Sequence, residues 1–201
     1  MQGKYIAIEG PDGSGNTTLS RGIVQELEQK DVPVIWTNEP SSRPIGRLIR
    51  QCLSHEVSVD LSAMLYLFVA DRVDHYKKVV QPALEEGRVV VTDRSLISTF
   101  CYQTLIHAWY FIQELHKEVT IPDLVIVLEV PLAVAEARRQ GREKVELYER
   151  KPTQEAVASN YRAVGNMLPQ YPIVYLNGDR SKQAVLDDAI RLINDKFQLL
   201  R

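Results

Sequence analysis

The sequence predicts an α/β fold, a five-stranded, mostly parallel sheet flanked by helices. Two observations carry that expectation. Short β-branched runs alternate with longer helical patterns from one end of the chain to the other, as repeated βα units do. The runs are also apolar almost without interruption, which suits strands buried on both faces.

In chain order the strands are read at Tyr5 to Glu9, Val34 to Asn38, Val89 to Asp93, Leu124 to Glu129 and Ile173 to Asn177. Helical patterns occupy about 17–29, 44–53, 60–80, 97–116, 132–139, 154–168 and 182–199. Asp60 is placed to cap the helix that follows it, Gly87 suits a left-handed turn after a helix end, and Pro122 and Pro131 bracket the fourth strand. A chain of 201 residues can build one core, and without repeat or linker residues 1–201 read as a single domain.

Lys and Arg number 24 against 26 Asp and Glu, a net charge of -2, so no global positive field exists to hold nucleic acid or an anionic membrane. Any basic site must be local. Cys52 and Cys101 lie far apart without CxxC spacing, which fits core thiols in a reducing, cytoplasmic compartment. The amino-terminal residues lead straight into a strand-like run, with no apolar signal region. Ser95 to Gln113 lacks Asp, Glu, Lys and Arg, but Ser98, Thr99, Gln103, Thr104 and His107 interrupt it. A buried helix lining a polar pocket is expected there, not a membrane span.

The chemistry begins after the first strand, at Gly10-Pro11-Asp12-Gly13-Ser14-Gly15-Asn16-Thr17-Thr18. Glycines let backbone amides converge on phosphate oxygens, and the helix start adds its positive dipole end. The spacing matches G-x-x-x-x-G-K-[ST] except that Asn16 stands in place of lysine. Thr17 has the hydroxyl expected to join a Mg²⁺ shell. Asn16 can donate neutral hydrogen bonds but brings no charge to a phosphate. Farther on, Arg138 to Lys151 holds six Arg or Lys residues among Glu143, Glu146 and Glu149, readable as a solvated helix end or as a cationic lid at about 138–152.

Read with the loop, three further segments carry a family resemblance: Asn38-Glu39-Pro40, Leu67-Phe68-Val69-Ala70-Asp71-Arg72, and Thr92-Asp93-Arg94-Ser95 continuing through Thr99 to Tyr102-Gln103. Their order and spacing resemble thymidylate kinase over nearly the whole length. Pro44-Ile45-Gly46-Arg47-Leu48-Ile49-Arg50 is similar to archaeal members in particular. The resemblance implies a three-layer P-loop NTPase fold and transfer of the ATP γ-phosphoryl group to dTMP, with Mg²⁺, commonly in a homodimer. It implies an ATP site at Gly10, Pro11, Asp12, Gly13, Ser14, Gly15, Asn16, Thr17 and Thr18, and a metal held by Thr17 and Asp93. It implies dTMP contacts from Asp12, Pro40, Phe68, Arg72, Arg94, Thr99, Tyr102 and Gln103.

Independently of the resemblance, Arg94 falls just past the carboxyl end of a buried strand, where open α/β sheets bind ligands. Phe68 and Arg72, four apart, share a helix face. The resemblance makes Asp12, Arg94 and Arg142 the expected catalytic residues, Arg142 because Gly13 fills the loop position where some members carry an arginine. Arg138, Arg139 and Lys144 are alternatives to Arg142. Asn38 before Glu-Pro and Ser41-Ser42 after it depart from the family pattern. Two other readings remain open: a nucleotide-binding module without catalysis, suggested by Asn16, and a kinase for another (deoxy)nucleoside monophosphate.

Overall fold

The computed structural model of the chain describes residues 3–140 and 147–200. Five strands, β1 (Lys4–Glu9), β2 (Val34–Asn38), β3 (Val89–Asp93), β4 (Leu124–Glu129) and β5 (Ile173–Asn177), form one sheet in the order β2, β3, β1, β4, β5. Every neighbouring pair is parallel. The carboxyl ends of all five strands therefore share one edge, and the loops leaving them meet there. The helices are α1 (Asn16–Glu28), α2 (Pro44–Leu53), α3 (Leu61–His75), α4 (Gln81–Glu85), α5 (Leu96–Gln103), α6 (Trp109–Leu115), α7 (Leu132–Arg139), α8 (Lys151–Met167) and α9 (Lys182–Phe197).

Strand side chains alternate between faces, and the core divides accordingly. Ile6, Ile8, Val89, Val91, Leu124, Ile126 and Leu128 pack against Leu19, Ile23 and Leu27 of α1 and Val185, Ala189 and Ile193 of α9. On the other face Ala7, Val125 and Val127 meet Leu96, Ile97 and Phe100 of α5 and Val157, Tyr161 and Val164 of α8. These are the three layers of an α/β sandwich. Cys52 and Cys101 are buried free thiols, as expected.

Three expected elements change. The helix read at 60–80 is α3, capped by the Asp60 carboxylate on the Ser62 amide, then a π-helical turn at Tyr76–Val80 and α4. Pro82 explains the turn, because it brings no N–H and its ring crowds the carbonyl of the preceding turn. The helix read at 97–116 is two helices, α5 and α6. Thr104 turns its hydroxyl onto the Phe100 carbonyl (2.7 Å) and Asn160 donates to the Cys101 carbonyl (2.8 Å). Side chains thus take up carbonyls at the end of α5, and the chain turns before α6 begins. The helix read at 154–168 starts earlier, at Lys151, with Pro152 in its first turn. Among the described residues no helix is long and apolar enough to cross a membrane.

Candidate active site

β1 ends in the middle of the sheet, and the glycine loop delivers the chain from it to α1. Gly15, the N-cap of α1, has φ 107° and Gly13 has φ 88°, values that favour glycine. A Cβ on Gly13 would lie 2.4 Å from the Ala135 carbonyl oxygen, so α7 touches the loop where only glycine fits. The Asn16 side chain points back into the loop: its amide nitrogen donates to the Gly10 carbonyl (3.1 Å) and its oxygen accepts from Ser14 Oγ (2.8 Å). The position of the missing lysine is thus used to tie the loop to itself.

Two cavities open at this edge of the sheet. The larger, about 870 Å³, is lined by the loop from Pro11 to Thr18 and by Arg138, Arg180 and Lys182. A smaller one, about 150 Å³, is lined by Pro40, Phe68, Arg72, Thr99, Tyr102, Gln103 and Tyr148 among others. Asp12, Glu39 and Arg94 line both. All the residues expected at the donor and acceptor sites except Gly10 therefore line one cavity or the other, and Gly10, the first residue of the loop, is buried.

At the junction, Arg94 holds a left-handed backbone (φ 72°) and donates to Asp12 Oδ1 (2.5 Å). Its other terminal nitrogen donates to the Gly10 carbonyl (3.1 Å), Ser98 Oγ (3.1 Å) and the Tyr161 hydroxyl (3.2 Å). Asp12 Oδ2 accepts from Gln154 (2.9 Å). On the donor side the Thr17 hydroxyl donates to Asp93 Oδ2 at 2.5 Å, which sets two hard oxygen ligands side by side. Among the described residues there is no cluster of three or more acidic, histidine or cysteine groups able to hold a metal alone.

On the acceptor side Arg72 is buried and fully engaged. It donates to Glu39 (2.7 Å) and Thr99 Oγ1 (2.9 Å) and meets His116 Nε2 at 2.6 Å. His116 Nδ1 lies 2.6 Å from the Ile112 carbonyl and must donate to it, so Nε2 carries the lone pair that Arg72 uses. Burial and then the Arg72 charge lower the His116 pKa to about 4. Burial opposes the Glu39 charge too, yet Arg72 and His75 outweigh it and its pKa falls below the ordinary value. Among the described residues the Tyr102 hydroxyl and Gln103 Oε1 are buried and meet no hydrogen-bond partner. Gln103 spends its amide nitrogen on the Tyr148 hydroxyl (3.0 Å).

Of the lid candidates, Arg142 and Lys144 lie outside the described residues. Arg138 bridges the carbonyls of Ser14 and Gly178, each at 3.1 Å. Arg139 donates to the Asp12 carbonyl. Both cations at the end of α7 thus reach the glycine loop. Glu9, Glu39, Ser98, His116, Tyr148 and Tyr161 join the site although they are not among the residues expected there. An acid ending an apolar strand is a visible signal for Glu9, and an acid one position past a strand is one for Glu39; the sequence holds none for His116, which meets Arg72 only through the fold.

A parallel sheet with a glycine loop between its central strand and a helix, beside a cavity rimmed with cations, defines a P-loop nucleotide-binding protein. The family described as Thymidylate kinase matches residues 8–189. A protein named "Probable thymidylate kinase" from Pyrococcus abyssi is 34% identical over 209 residues, covering 100% of this chain and 99% of the relative. Another of that name, from Pyrobaculum aerophilum, is 40% identical over 146 residues, 72% of this chain and 74% of its own. A "Thymidylate kinase" from Orientia tsutsugamushi is 29% identical, with 98% and 95% covered. The chain belongs to the thymidylate kinase family.

Proposed function

We propose that this protein transfers the γ-phosphoryl group of ATP to dTMP, forming ADP and dTDP. The observation that carries the reading is the meeting of a large and a small cavity at Asp12, Glu39 and Arg94. Two anionic substrates entering from opposite sides would bring their phosphates together there. Phosphoryl transfer asks mainly for alignment and neutralised charge, which backbone amides and guanidinium groups supply.

On the donor side Gly10 to Thr18 cradle the ATP phosphates. Thr17 and Asp93 fit Mg²⁺, which prefers oxygen ligands and keeps positions for phosphate and water; when bound it neutralises charge on the phosphates. On the acceptor side the Phe68 ring lies against the thymine, Arg72, Thr99, Tyr102 and Gln103 contact the nucleoside, and Pro40 closes the pocket. Arg94 grips the acceptor phosphate, Asp12 orients Arg94, and Arg142 adds lid charge over the transferred group. No strong general base is needed, because a phosphate acceptor is already anionic near neutral pH.

A homodimer and a cytoplasmic setting belong to the same reading. Leu61 and Tyr66 of α3, and Trp109 and Tyr110 of α6, are exposed, and Tyr66 packs edge-on to Phe111 of α6 at 6.3 Å, so both helices offer apolar side chains to a second copy. A coupled assay tests the function: ADP release from ATP that depends on dTMP is expected, with other monophosphates poorer acceptors. Calorimetric dTMP binding without turnover would favour the non-catalytic module. A chain with neither dTMP binding nor turnover overturns the proposal.

A further inference from the structure

Glu9 is fully buried at the end of the central strand, directly below the loop. Its Oε1 accepts from the Ser95 amide (2.7 Å), Ser95 Oγ (2.8 Å) and the Ser98 amide (3.3 Å). Its Oε2 accepts from Ser98 Oγ (2.6 Å) and the Tyr161 hydroxyl (3.0 Å). The carboxylate therefore caps the start of α5, which has no side-chain cap of its own from Ser95. It also takes up the hydrogens of the two hydroxyls, which lie 2.8 Å from each other: Ser98 gives its hydrogen to Oε2, and Tyr161 gives its own to Oε2 or to Ser98 Oγ. Either way each hydroxyl presents a lone pair to Arg94, whose Nη1 lies 3.1 Å and 3.2 Å away.

We infer that Glu9 is a positioning residue, which aims Arg94 at the acceptor phosphate by holding Ser98 and Tyr161 as hydrogen-bond acceptors. This rests on the role proposed for Arg94. Arg94 and Ser98 both line the smaller cavity, so the arrangement faces the acceptor directly. Burial raises the Glu9 pKa, and the hydroxyls and Arg94 draw it back, so the group that orders the site is held by the site in return. Asp12 fixes the other end of the guanidinium, and with Glu9 it leaves Arg94 little freedom to turn.

Glu9→Gln tests the inference by reversing one donor while keeping the shape. Oε1 must still accept from two backbone amides, so the new NH₂ falls at the Oε2 place and donates to Ser98 and Tyr161. One hydroxyl can then donate to the other across 2.8 Å, but the second hydrogen has lost its acceptor and competes with the Arg94 hydrogens, so Arg94 loses one of its two hydroxyl contacts. Calorimetry with dTMP and with thymidine, which lacks the phosphate, separates aim from folding. The unaltered chain should bind dTMP more tightly than thymidine. Glu9→Gln should lose about tenfold in dTMP affinity, one charge-assisted hydrogen bond's worth, with thymidine binding unchanged. Tyr161→Phe and Ser98→Ala should each lose a few-fold in the same ratio, and Tyr161→Phe added to Glu9→Gln should cost less than Tyr161→Phe alone. If Glu9→Gln does not fold, the two hydroxyl variants decide. An unchanged ratio of dTMP to thymidine affinity in the folded variants overturns the inference alone. No dTMP binding by the unaltered chain overturns the proposed function and this inference with it.

Discussion

Asn16→Lys restores the one charge that the glycine loop lacks, and its cost and gain can be set apart. In the free protein the change removes the Asn16 bonds to Ser14 Oγ and the Gly10 carbonyl, both buried. At about 1 kcal/mol each, the variant should be about 1–2 kcal/mol less stable. With ATP bound the sign reverses, because a lysine ammonium at the head of α1 can reach the phosphates of a ligand in the larger cavity. One charge-assisted contact contributes about 1.5–3 kcal/mol to binding. If it strengthens as charge develops, kcat rises by roughly 100- to 1000-fold. A coupled ADP assay with dTMP, run beside thermal melts with and without ATP, reads both effects. A variant that melts lower in both conditions and turns over no faster than the parent refutes the argument, since it would mean that the cavity beside position 16 is not where phosphates are held.

His116 gives a pH test. Its pKa falls from 6.5 to about 4 on folding, so between these values the unfolded chain binds a proton that the native chain does not. Its contribution is fully present above pH 6.5 and is lost as pH falls toward 4, a change of about 3 kcal/mol. Urea melts across this range should show a shallower loss for His116→Gln; identical pH slopes would contradict the burial of a neutral imidazole against Arg72. Gly13→Arg, which copies the loop arginine of other family members, should destabilise the chain by about 1–3 kcal/mol and leave turnover no higher. A stable, faster variant would show that the approach of Ala135 to the loop is not as close as described.

The sequence alone determined the sheet and the phosphate loop. An unbroken apolar run such as Val89 to Val91 has few ways to be satisfied other than burial on both faces, and Gly10, Gly13 and Gly15 have few uses at that spacing other than a loop with positive φ. Local rules also located Asp60 as a cap and Gly87 as a left-handed turn, because both depend on near neighbours. Those rules failed where distant groups intervened. Asn160 takes the Cys101 carbonyl near the point where the long central helix breaks, and no reading of residues 97–116 by themselves contains that contact.

Tertiary structure decided which charges face one another. Arg72 meets Glu39 and His116, separated from it by 33 and 44 positions, and Glu9 meets Tyr161 across 152. Hydrogen bonds reach about 3 Å. Composition and periodicity act along the chain and say nothing about such meetings until a parallel sheet brings the ends of its strands to one edge. The strand pattern could announce that this edge exists; only the folded arrangement could say that Glu9 lies under it, that His116 is neutral beside Arg72, and that Asn16 turns away into its own loop.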